Sequence, residues 1–102
     1  MAKNRLELHD ILEGIVGSDH VYYQPPASVR MEYPCIRYER NSIDNWHADN
    51  KPYMTENSYA LTVIDRDPDS RIVAEVSKLP LCRHNRHYTK DNLNHDVFII
   101  YY

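Results

Sequence analysis

The chain has 102 residues, with 12 Lys or Arg against 15 Asp or Glu and a net charge of −3. That length holds one small domain, residues 1–102, which by surface scaling buries roughly 65% of the area its unfolded chain exposes. The charges divide evenly between the two halves, so neither half offers the clustered positive patch that binding to a DNA backbone needs.

Nine of the aromatic residues are Tyr, beside one Phe and one Trp, and there are only two Gly. Rings with one polar end suit half-buried strands and interfaces better than a dry core. The scarcity of glycine excludes a Gly-rich phosphate loop. The start Met1-Ala2-Lys3-Asn4-Arg5 runs into an amphipathic segment instead of an apolar one, so no signal peptide is expected. Cys35 and Cys82 then read as buried free thiols in a reducing cytoplasm. The longest apolar run, Val97 to Tyr102, has the length of a strand and not of a membrane span.

Leu8, Ile11, Leu12 and Ile15 repeat at i, i+3, i+4 and i+7, which predicts an amphipathic helix from about Ala2 to Val16, ended by Gly17. Val21-Tyr22-Tyr23 reads as a short edge strand with an extended exit forced by Gln24-Pro25-Pro26. Pro34 opens a second strand, Cys35 to Arg40. The polar stretch Asn41 to Asn57 holds Trp46, Tyr53 and Met54 and is expected as a long loop or a splayed hairpin tip.

Ser58 to Ile64 is β-branched and apolar enough for a central strand. It stops at Asp65-Arg66-Asp67-Pro68-Asp69-Ser70, where an Asp or Ser can accept from the free amides of a following helix. Ile72, Val73, Val76 and Leu79 mark that helix, which Pro80 ends. Cys82 to Thr89 and His95 to Tyr102 then form a hairpin around Lys90 to Asn94. This order predicts an α+β fold: a small mixed, mostly antiparallel sheet with two helices packed on one face.

Cys82, His84, His87 and His95 place four potential metal ligands in a short stretch. On a regular strand Cys82 and His84 share a face with Arg86 while His87 points the other way, and the spacing matches no common zinc pattern. Asp65, Asp67 and Asp69 alternate like the start of a calcium loop, but Ser70 and Val76 stand where that loop needs Gly and Glu. Cys82, His87 and Asp91 form only a generic nucleophile, base and acid trio. No elbow, kinase or P-loop signature accompanies it. The expectation is a protein that is not an enzyme, with no catalytic residue, no cofactor and no resident metal.

Several segments resemble one family: Val21-Tyr22-Tyr23-Gln24-Pro25-Pro26, Tyr33-Pro34-Cys35-Ile36, Ala48-Asp49-Asn50, Thr62 to Ser70, Leu79-Pro80 and Arg86 to His95. Together they are similar to the small tail terminator, or head-tail joining, proteins of long-tailed bacteriophages and prophages, over nearly the whole chain. Asn85 departs from that pattern, in which an acidic residue precedes Arg86-His87, so one salt bridge of the family is in doubt here. The resemblance implies an α+β subunit of a hexameric ring at the head-proximal end of the tail tube. The ring would stop tube growth and form the surface to which the head connector docks. It also implies assembly in the host cytoplasm, residence in the virion tail or neck, no membrane, and DNA only as a passenger through the lumen. At −3 per copy, that lumen is expected to be acidic and non-adhesive.

The residues that would carry such contacts are Arg86, His87, Tyr88, Asp91 and Asn92 in the C-terminal hairpin and Asp65, Asp67 and Asp69 before the second helix. Trp46 and Tyr53 would dock the tube or the connector. Against each stands a plain alternative as a turn, a cap or a loop residue packed on its own domain. Two other readings stay open: a head-completion adaptor of the neck, and a small metal-dependent enzyme.

Overall fold

The computed structural model describes residues 4–48 and 51–102, with backbone alone for 43–48 and 51–56. The elements are α1 (Arg5–Val16), β1 (Val21–Tyr23), β2 (Cys35–Ala48), β3 (Lys51–Asp65), α2 (Arg71–Ser77), β4 (Cys82–Lys90) and β5 (Leu93–Tyr101). The five strands form one sheet in the order β1-β2-β3-β5-β4. Only the β1–β2 pair is parallel, so the sheet is mixed and mostly antiparallel, as the element order predicts.

Capping sets the helix ends. Asn4 accepts a hydrogen bond from the Leu6 N–H at 2.9 Å, so α1 begins at Arg5 and not near Ala2. Gly17 takes a left-handed φ of 83° and returns its N–H to the Glu13 carbonyl, the geometry only glycine adopts without cost. Ser70 caps α2 through the Ile72 N–H. That helix ends at Ser77, short of Leu79, because Pro80 cannot continue it.

Both helices pack on one face of the sheet. Leu8, Leu12 and Val16 of α1 and Ile72 and Val76 of α2 join Ile36, Tyr38, Tyr59, Leu61, Val63, Phe98 and Ile100 in one buried cluster. Strand alternation puts those seven residues on the same side. Of the predicted α1 stripe, Ile11 is 39% exposed instead of buried, and Val16 takes its place in the core.

Two tyrosines depart from the expectation of wet-ended rings. Tyr38 and Tyr59 are buried at the centre of the core, with Tyr23 tilted against Tyr38 and edge-on to Tyr59. For Tyr38 a polar chain from α1 makes this possible. The Tyr38 hydroxyl accepts from Arg5 Nη1 at 3.0 Å and lies 2.7 Å from His9 Nδ1, whose Nε2 faces Glu13 at 3.6 Å. Burial pushes the Tyr38 phenol up, against the pull of Arg5.

In the expected loop Asn41 to Asn57, the described residues 41–48 and 51–57 are paired strands. β2 and β3 stay paired to Ala48 and Lys51, with irregularities between Arg40 and Ser42 and between Trp46 and His47. β1 covers β2 only as far as Tyr38, and β5 reaches β3 only from Ser58. The hairpin therefore projects from the sheet as a two-stranded arm, and the molecule measures 51 × 26 × 23 Å. The exit from β1 is also a turn and not an extended run. Gln24 has φ 44°, and its N–H and side-chain carbonyl are both anchored on β2, at Tyr38 and Arg40.

Cys35 is fully buried, whereas Cys82 is half-buried, and both are free thiols. Burial, with Asp65 adding repulsion, pushes the Cys35 thiol up to about 12. An unfolded chain ionises this thiol near 9, so native stability is intact below that pH and falls as pH rises between 9 and 12. At pH 10.5 the loss from Cys35 is about 2 kcal/mol. Burial also pushes the half-buried Cys82 thiol up to about 11, so urea midpoints measured at pH 8 and pH 10.5 should show only about half of the alkaline loss vanish in a Cys35→Ala protein.

Candidate functional site

The other face of the sheet carries no helix. Cross-strand register arranges it in rows: Cys35-Ile64-His95-Tyr88, Arg37-Thr62-Val97-Arg86 and Glu39-Ala60-Ile99-Arg83. Small or β-branched residues fill the centre, with Val97 and Ile99 buried and Ala60 and Thr62 half-buried. Long cationic side chains ring it, because Arg83, Arg86 and Lys90 are exposed on β4 and Arg37 is half-buried on β2. Side chains of this kind can lay aliphatic stems over apolar surface while their charges stay wet.

At the β4 edge three side chains form a ladder. The Tyr88 ring stacks on His95 at 4.6 Å with 10° between planes, and the Arg86 guanidinium lies 5.2 Å from the Tyr88 ring centre. Tyr88 is 39% exposed. Aromatic and arginine side chains held in place before a partner arrives are the residue types that anchor interfaces.

One irregularity builds this face. β4 slips register between His84 and Arg86, leaving Asn85 as the extra residue of a bulge. Everything downstream of a one-residue slip changes sides. Arg86 therefore joins Arg83 on the helix-free face and does not share a face with Cys82 and His84, as a regular strand would have it. His87 joins His84 on the helix side. There both approach Asp96 Oδ1, at 3.7 and 3.1 Å, and His84 meets Phe98 edge-on. His95 points away from this pair, so the four potential ligands are split between two faces. Among the described residues no group of three His, Cys, Asp or Glu is placed to hold a metal ion.

The remaining sequence candidates divide between turn chemistry and the arm. Asp91 and Asn92 have φ 55° and 63° and form the whole β4–β5 turn, shorter than the expected segment Lys90 to Asn94. Asp65 and Asp67 accept from the N–H groups of Asp67 and Asp69, and Asn94 Nδ2 holds the same bend through the Asp65 and Arg66 carbonyls. These acids shape a turn, and they are not gathered with Arg86 and Tyr88. The backbone of Trp46 pairs with Met54 on the arm, with Tyr53 beside it. The side chains of Trp46 and Tyr53 lie outside the described residues, as do Asp49 and Asn50.

Arg37 and Arg83 belong to the site although motif reading passes over them. Their signal is register, which places them across the sheet from Arg86 and Ile99 and is not visible along the chain. A second, apolar groove of about 180 Å³ lies between α1 and the end of β5, lined by Leu8, Ile11, Leu79, Pro80 and Tyr102, with Leu81 72% exposed at its rim. Among the described residues no helix is long and apolar enough to cross a membrane. In comparisons with known proteins, no family profile and no curated protein matches the chain.

Proposed function

We propose that this chain is a structural protein of a long-tailed bacteriophage virion. It closes with copies of itself into a ring at the head-proximal end of the tail tube, ends tube growth there and presents the surface for head attachment. Its partners are the tail tube protein and the head-tail connector, and DNA only passes through the lumen.

The observation that carries this reading is the helix-free sheet face, with its apolar centre and cationic rim, beside an arm that projects beyond the sheet. A 102-residue domain that leaves one sheet face without a covering layer is built to receive another surface. The family resemblance of the Thr62 to Ser70 and Arg86 to His95 segments supports the placement at the tail end.

Inactivating the gene and imaging the lysate by electron microscopy tests it. Overlong tails without heads are expected. Tails of normal length beside unattached full heads would assign the chain to head completion, and normal virions would remove it from the particle altogether.

A further inference from the structure

We propose that the helix-free face of β2, β3, β5 and β4 in one copy receives the outer face of α1 from a second copy, cation against acid. This rests on the ring reading above and names the two surfaces that make its repeated contact.

Among the described side chains, the receiving face holds Arg37, Arg83, Arg86 and Lys90 against the acid Glu39. The segment 4–19 holds Glu7, Asp10, Glu13 and Asp19 against the single cation Arg5. The last turn of α1 has no basic residue of its own, and its carbonyl end carries partial negative charge. Arg71 donates to the Ile15 carbonyl at 3.1 Å. The neighbours of Glu13 and Asp19 are His9 at 3.6 Å and His20 at 3.9 Å, which offset those carboxylates only when protonated. Each domain is thus charged oppositely on its two sides, the arrangement that favours face-to-back association over a two-fold dimer.

Shape agrees with charge. Leu6, Asp10, Gly14 and Gly17 follow one outward line of α1, opposite Leu8, Leu12 and Val16. Leu6 is 57% exposed and would meet the apolar centre at Ala60, Thr62, Val97 and Ile99. A Cβ at Gly14 would touch nothing within 4 Å, so the fold of one copy gives no reason for a glycine inside this helix. Glycine is less favourable than alanine in a helix interior. Close approach of a neighbouring sheet supplies the reason. Glu13, Gly14, Gly17, Ser18 and Asp19 line a shallow open depression, a seat for an arginine head.

The two surfaces lie on opposite sides of the domain, so each copy uses both, and the contact repeats head to tail, giving a ring where its rotation closes. Sedimentation of the full chain tests this with two double variants. Arg83→Glu/Arg86→Glu carries acid on both surfaces, and Asp10→Arg/Glu13→Arg carries cation on both. Wild type is expected to self-associate, less so at high salt. Each variant alone should associate at least about tenfold more weakly, and their equimolar mixture should recover to within about threefold of wild type.

Gly14→Ala should melt at a higher temperature than wild type yet associate more weakly, an outcome that a folding defect does not produce. Association that survives both reversals, or a mixture no stronger than its components, overturns the pairing of these faces. The ring reading is judged separately, on tails. A wild-type chain that stays monomeric up to about 1 mM overturns the pairing too. So does binding of duplex DNA, in place of a second copy, that is lost with Arg83→Glu/Arg86→Glu.

Discussion

Truncating Tyr38 to Ala should lower the unfolding free energy by about 3–5 kcal/mol, the range for a buried aromatic ring that leaves a cavity. Tyr38 is wholly buried between Tyr23 and Tyr59 and is the point where β2, α1 and β1 meet. Its hydroxyl ties Arg5 and His9 of α1 to the sheet. Tyr38→Phe keeps the ring and removes only that tie, so its cost should be about 1 kcal/mol. Urea unfolding followed by circular dichroism measures both. An Ala variant that lost less than about 1 kcal/mol would contradict the central place of this ring in the core.

Replacing both Asp91 and Asn92 by Val should cost about 2–4 kcal/mol, since a β-branched residue in the left-handed region costs roughly 1–2 kcal/mol at each position. Asn and Asp tolerate that region, and two consecutive left-handed residues make the two-residue turn whose twist matches the flanking strands. The effect should concentrate in β4. Arg83 to Lys90 are all exposed, so this edge strand is held mainly by its ladder to β5 and by the turn. Hydrogen exchange of the β4 amides should quicken more than that of β3 in the variant. Uniform acceleration across the sheet would show that the turn does not hold β4 separately.

The caps, and the place of the last turn though not its length, were legible in the chain because they are written in local chemistry. Gly17 ends a helix and Ser70 begins one for reasons that need only the neighbouring residues. The α+β architecture followed from the spacing of apolar residues, and the central strand at Ser58 to Ile64 from its β-branched run. The arm was not legible as paired strands, because its polar sequence carries no clear alternation, and cross-strand pairing there is a long-range fact.

The candidate site was half legible for a related reason. Arg86 and Tyr88 stand out by residue type, yet their side of the sheet is decided by the bulge at Asn85, which no period-2 pattern reveals. The same slip brings His87 to Asp96 and removes it from the predicted contact set. The burial of Tyr38 was hidden because it depends on Arg5 and His9, more than 25 residues away in the chain.

The central claim, that this chain forms a ring at the head-proximal end of the phage tail, is tested most directly by electron cryo-microscopy of intact virions. A closed ring of this five-stranded subunit between tail tube and connector is the predicted result, with the helix-free face of each copy covered by its neighbour. Density that accounts for the whole neck without this chain would contradict it.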